Sequence, residues 1–286
     1  MLLTFALLAI AIAAAWLKPL RLTDRFLLPP WMAIAAGAVV SGLAAAVLSP
    51  VAVLALAMFF LAAYLAAATE RKTSLLFGMA AALLALALAL HRLPGFNNPI
   101  LISQLRLSAD SVPFTQYANF DKGAAGLVLL AFLCRRASSA AEWRKLLRQT
   151  WPIALVAVIA VLGLATAIGY VKPDFKLSQA TALFLFANLF FTVVAEEAFF
   201  RGLLQDRLAL SLARFRHGPL LAAACSALLF GAAHVAGGGA YVLLATVAGL
   251  AYAYAYYVTQ RIEAAIIVHF AVNTVHFIGF TYPHLN

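Results

Sequence analysis

Two adjacent carboxylates, an arginine four residues on, two histidines and an asparagine interrupt an otherwise oily C-terminal third. Residues 195–202 read AEEAFFRG and follow a stretch, 178–195, with no charged residue. On an α-helix Glu197 and Arg201 are four apart and share a face. Glu196 is turned about 100° away from Glu197, since successive helical residues rotate by that amount. This gives one carboxylate paired with a cation and one aimed elsewhere. A desolvated carboxylate can act as a base or acid near neutral pH. Residues 228–234 read LLFGAAH and bring His234, with Phe230 one turn before it on the same face and Gly231 allowing close helix approach. Residues 269–276 read HFAVNTVH, so His269, Asn273 and His276 fall on one helical stripe. A base for water and side chains that donate to an oxyanion are what hydrolysis of an acyl bond requires.

Each group also has a plainer reading. The glutamates suit a helix end that reaches water at the membrane interface. His234 suits a helix cap before the glycines at 237–239, and the His269–Asn273–His276 stripe suits a polar seam that joins helices. Counting rise per residue puts His234 nearer the outer side than Glu196, unless tilt or a break at Pro219 or Gly231 brings them level.

The elements that must carry these residues are apolar blocks. The chain has 286 residues, 65% hydrophobic and 10% charged, against about 25% charged in soluble domains. Ten blocks stand near 1–17, 31–49, 51–69, 75–90, 123–134, 151–170, 178–200, 219–236, 240–258 and 262–280. Most have the roughly 17–25 residues that cross a bilayer; 123–134 is short. The expected fold is all-α, a polytopic transmembrane bundle of eight to ten spans. Residues 1–150 form an N-terminal set of helices, and 151–286 form a core that holds nearly all the intramembrane polar groups.

The net charge of +10 would suggest nucleic acid in a soluble protein, but no basic helix or stacking platform of the usual nucleic-acid-binding kind supports that partner. The basic residues instead lie in short loops, at 18–25, 71–72, 135–148, 201–216 and 261. Those loops hold fifteen of the twenty lysines and arginines. That side is expected to be cytoplasmic, with both termini outside. The first block has its positive charges after the apolar run and reads as a span, not a signal peptide. Residues 91–122, with Pro94, Pro99 and Pro113, read as an ordered outer loop or lid. Residues 135–150 read as a basic amphipathic helix on the cytoplasmic interface, with Trp143 at headgroup level. Cys134 and Cys225 show neither disulfide nor thiolate–metal spacing and read as small buried hydrophobes.

The three polar motifs in this order resemble those of the CPBP family of intramembrane proteases. That family includes the type II CAAX prenyl endopeptidases and the Abi-like bacteriocin-processing or immunity proteins. The pattern EExxxR, FxxxH, HxxxN stands here as EEAFFR at 196–201, FGAAH at 230–234 and HFAVN at 269–273. The resemblance covers roughly 180–280. It implies a helical endopeptidase in which Glu196 and His234 activate water, His269 and Asn273 stabilise the oxyanion, and Glu197 and Arg201 position the site. It favours a mechanism without a cofactor. Zinc held by Glu196, His234 and His269 is the less favoured alternative, and no HExxH is present. The expected partners are membrane lipids and a peptide or membrane-protein substrate, and the expected location is a bacterial plasma membrane. A non-catalytic scaffold or immunity protein and a proton-coupled transporter are the competing readings. No inverted repeat of the transporter kind is evident.

Overall fold

The computed structural model describes residues 1–23 and 26–286; Arg25 of the first basic loop lies outside them. Ten helical runs order the described chain: α1 Leu2–Ala14, α2 Pro30–Ala44, α3 Pro50–Ala68, α4 Arg71–Ala89, α5 Phe120–Leu133, α6 Ala140–Ala167, α7 Thr181–Ser211, α8 Gly218–Ala232, α9 Gly238–Thr259 and α10 Ile262–Gly279. Among the described residues, six helical segments are long and apolar enough to cross a membrane: α3, Lys72–Ala89 of α4, α6, α7, Val235–Thr259 and α10. α1, α2 and α8 are apolar but shorter. The fold is an all-α polytopic bundle and the chain is an integral membrane protein.

The helix starts follow local chemistry. Pro30, Pro50 and Pro219 sit in the first turns of α2, α3 and α8, where a missing N–H costs nothing. Pro219 therefore begins a helix and does not break one. At α6, the Ser139 hydroxyl accepts from the Glu142 N–H (3.2 Å), while the Glu142 carboxylate accepts from the Ser138 N–H (2.9 Å). This is close to a reciprocal capping box. The amphipathic run and the apolar block after it form this one helix of 28 residues, with Pro152 inside. Arg201 and Arg207, grouped with a basic loop in the sequence, are both within the 31-residue run of α7.

Two small sheets interrupt the helices. Strand β1 (Leu20–Thr23) pairs antiparallel with β2 (Phe26–Leu28). Segment 91–122 contains β3 (Ile100–Leu105) and β4 (Phe114–Tyr117), which pair as a second sheet. Ser108, in the connection between them, bonds Asp174 and holds that carboxyl below the usual carboxylate range, with Lys176 3.5 Å away adding to the effect.

The chain forms two compact units. The first comprises 1–99, 117–134 and 189–199; the second comprises 100–116, 135–188 and 200–286. In the first, α5 lies against α1, α3, α4 and the 189–197 stretch. Small residues permit this. A Cβ on Gly123 would stand 2.8 Å from Phe191 Cδ1, and one on Gly126 would stand 2.8 Å from Ala195 Cα. Phe5 meets Phe120 and Phe191 edge-on, at 6.1 and 5.6 Å. In the second unit, α6, α9 and α10 pack on one another and α8 packs on α9. Phe184 stacks on Phe277 at 3.8 Å beneath Ile102 of β3. Gly231 has the role its position suggests: a side chain there would run into Thr246 Oγ1 and stand 3.0 Å from the Val242 carbonyl.

Candidate active site

The two glutamates do not lie at a helix end. Val194–Glu197 is a single α-turn within α7, flanked by π-helical stretches at Leu189–Val193 and Ala198–Gln205. Glu197 and Arg201 are both fully buried, so Glu197 does not snorkel to solvent at a frayed terminus. The π winding bonds residue i to i+5. An i, i+4 argument based on α geometry therefore does not transfer unchanged to Glu197 and Arg201.

In the first unit, Glu196 Oε1 accepts from Lys122 Nζ at 2.7 Å, and each side chain is 16% exposed. Lys122 is the third residue of α5, so Glu196 stands level with the first turn of that helix. The close approach of Gly126 to Ala195 sets the two backbones side by side. Asp121, next to Lys122, is buried and tightly held. Its Oδ2 meets His91 Nδ1 at 2.6 Å, and its Oδ1 accepts from Asn98 Nδ2 at 3.0 Å and from the Lys122 N–H at 2.8 Å. Asn98 Oδ1 in turn accepts from the Phe120 N–H at 2.8 Å.

In the second unit, Phe230 and Tyr252 gather three of the expected residues. The Arg201 guanidinium lies 4.7 Å from the Phe230 ring and 5.4 Å from Tyr252, and its Nη2 donates to the Gly249 carbonyl at 3.0 Å. His269 is buried and stacks on Tyr252 at 4.4 Å, with the rings 13° apart, and meets Phe230 edge-on at 5.7 Å. His234 lies 4.6 Å from Phe230. Its Nδ1 is 2.7 Å from the Phe230 carbonyl. A carbonyl only accepts, so Nδ1 carries the proton and Nε2 of the neutral ring is the acceptor. Asn273, one turn after His269 on α10, donates from Nδ2 to Asn188 Oδ1 at 3.2 Å. An amide oxygen that accepts in such a pair orients the NH₂ group, and an oriented NH₂ is a suitable oxyanion donor.

Within the second unit, then, the fold brings Arg201, His234 and His269 around one aromatic pair and ties Asn273 to Asn188. Glu196 and Glu197 belong to the first unit. His276, on the same stripe as His269 and Asn273, instead faces Tyr282 at 4.9 Å. Among the described residues, no three His, Cys, Asp or Glu side chains form a group placed to hold a metal ion. Sequence reasoning missed Lys122, Asn188 and Tyr252. The first two had a signal, since each is a polar residue within or at the edge of an apolar block. Tyr252 had none, being one of several tyrosines in the run AYAYAYY.

Comparison with curated proteins returns no match, and comparison with solved structures returns none either. Residues 178–275, about a third of the chain, match the family model described as type II CAAX prenyl endopeptidase Rce1-like. The matched segment contains EEAFFR, FGAAH and HFAVN in full. The match supports the resemblance of this region to the CPBP family of intramembrane proteases.

Proposed function

We propose that the protein is an intramembrane endopeptidase of the CAAX type, working through a glutamate- and histidine-activated water without a metal. The observation that carries this reading is that one family match spans all three motifs. The clustering of Arg201, His234 and His269 about Phe230 and Tyr252 supports it further. Glu196, assisted by His234 Nε2, takes a proton from water, and the resulting hydroxide attacks the scissile carbonyl. The carbonyl oxygen becomes an oxyanion that accepts hydrogen bonds from Asn273 Nδ2 and His269. The proton taken up by Glu196 passes to the departing amine as the tetrahedral intermediate collapses. Glu197 and Arg201 hold the segment in place. The substrate is a peptide or membrane protein presented from the lipid phase, and a bacterial plasma membrane suits the Ala- and Leu-rich spans.

Glu196→Gln is the direct test. It keeps size and hydrogen bonding but cannot take up the proton, so cleavage of a quenched fluorescent peptide ending in a prenylated CAAX sequence should cease while the protein stays folded. Chelator should leave the native rate unchanged. Survival of activity in Glu196→Gln would point to another base. Loss on chelation with recovery on zinc would turn Glu196 and the histidines into ligands. Glu196→Ala, used as a trap in native membranes, should retain bound substrate for identification.

A further inference from the structure

Outside the segment that carries the family motifs, the charged side chain of Lys122 reaches the proposed base. Lys122 Nζ bonds Glu196 Oε1 at 2.7 Å, and the two side chains are equally and largely shielded. A charge-assisted bond of this length in a dry setting fixes both partners. Lys122 is unusually well anchored for a lysine. Its own N–H bonds Asp121 Oδ1, and Asp121 is gripped by His91 and by Asn98, which also accepts from the Phe120 N–H. The start of α5 is thereby tied to 91–98, the beginning of the outer loop. Gly126, one turn on, sets α5 against the backbone of Ala195, next to Glu196.

We infer that Lys122 is a positioning residue for Glu196, an inference that rests on Glu196 being the base. Lys122 holds Oε1 and gives the carboxylate one orientation in place of several rotamers. A flexible Glu side chain left to itself samples many arrangements, and only a narrow range puts the accepting oxygen within hydrogen-bond reach of a water. Asp121, Asn98 and His91 set the lysine and act at one further remove. On this view the outer loop contributes to catalysis by fixing the first turn of α5.

The test compares Lys122→Met, Lys122→Gln and Lys122→Arg with native protein and Glu196→Gln. All are full-length, in the same detergent and against the same fluorescent peptide. In Lys122→Met, kcat should fall by roughly 10–100-fold while KM stays within about twofold, because the change touches the base and not peptide binding. Lys122→Arg should restore kcat to within about threefold of native, since it returns a cation of similar reach. Should Lys122→Met fail to fold, Lys122→Gln makes the same comparison. A native kcat in the neutral variant, or an arginine variant no better than the neutral one, overturns the inference. Collapse of both neutral variants, with Lys122→Arg folded and fully active, assigns the pair to folding and overturns it too. Glu196→Gln separates the two levels. If it cleaves at the native rate, the base assignment itself is wrong. If it is inactive while Lys122→Met keeps its kcat, only the role of Lys122 falls.

Discussion

Gly126→Ala tests whether the approach of α5 to α7 sets the position of Glu196. A Cβ built on Gly126 stands 2.8 Å from Ala195 Cα and 3.0 Å from both Ala195 N and Cβ. Ordinary contact begins at 3.4 Å, and two of these three atoms are backbone, so no side-chain rotation relieves the clash. The helices must separate locally by about 0.6 Å or more. Overpacking of this kind costs about 1–3 kcal/mol. The better helix propensity of alanine returns about 1 kcal/mol, leaving a net loss of about 0–2 kcal/mol. The effect on rate should be larger, because misplacing a catalytic group by about 1 Å can cost about 10²-fold. Gly163 of α6 is the control, since a Cβ there meets nothing within 4 Å; Gly163→Ala should keep both rate and stability or gain slightly in stability. The assay is peptide cleavage alongside the apparent melting temperature in detergent. A native rate in Gly126→Ala would show that the glutamate tolerates movement of its helix, and the argument from close approach would be wrong.

Two more outcomes follow from the second unit. Arg201→Lys keeps the charge but loses the planar contacts to Phe230 and Tyr252, so it should cost about 1–3 kcal/mol and lower the apparent melting temperature by several degrees; an unchanged value would mean those ring contacts contribute nothing. Asn273→Ala should slow cleavage by roughly 10²–10³-fold with KM little changed, and Asn188→Ala should slow it less, because it only orients the Asn273 amide; equal or reversed losses would give Asn188 the direct role.

How much of this was legible depended on whether a feature is encoded by residue type and spacing. The membrane spans were, because long apolar runs bounded by charge have few other uses. The order of the polar motifs was as well, since carboxylates, histidines and asparagine inside such runs are too costly to keep idle. The β3–β4 sheet was not. Its strands ILISQL and FTQY are too short to show a period beside three prolines. Lys122 was counted only as an outer-side charge, because nothing in a single sequence says that residue 122 meets residue 196. The depth argument depends on where this span ends. It treated 178–200 as a whole span ending near the glutamates, whereas the helix runs to Ser211 and Glu196 stands level with the start of α5.

The winding of α7 was the least legible feature, and it bears most directly on the chemistry. Two π stretches enclose the single α-turn that presents Glu196 and Glu197. No residue in LFFTVVAEEAFFRGLLQ forbids a plain α-helix, so the winding must be stabilised by what surrounds it. Part of that stabilisation is visible. Ser226 Oγ donates to the Phe200 carbonyl at 2.8 Å within the second unit, and Cys134 Sγ lies 3.9 Å from the Ala198 carbonyl within the first. Both acceptors are in the second π stretch, where backbone hydrogen bonding is wider than in an α-helix. Farther along the same stretch, buried Gln205 donates to the Ala253 carbonyl at 3.0 Å. Cys134, which reads from sequence as a small hydrophobe, thus also serves as a weak donor at this point. Each of these bonds engages a group of the second π stretch, and within the first unit the Gly126 contact holds the turn that carries Glu196.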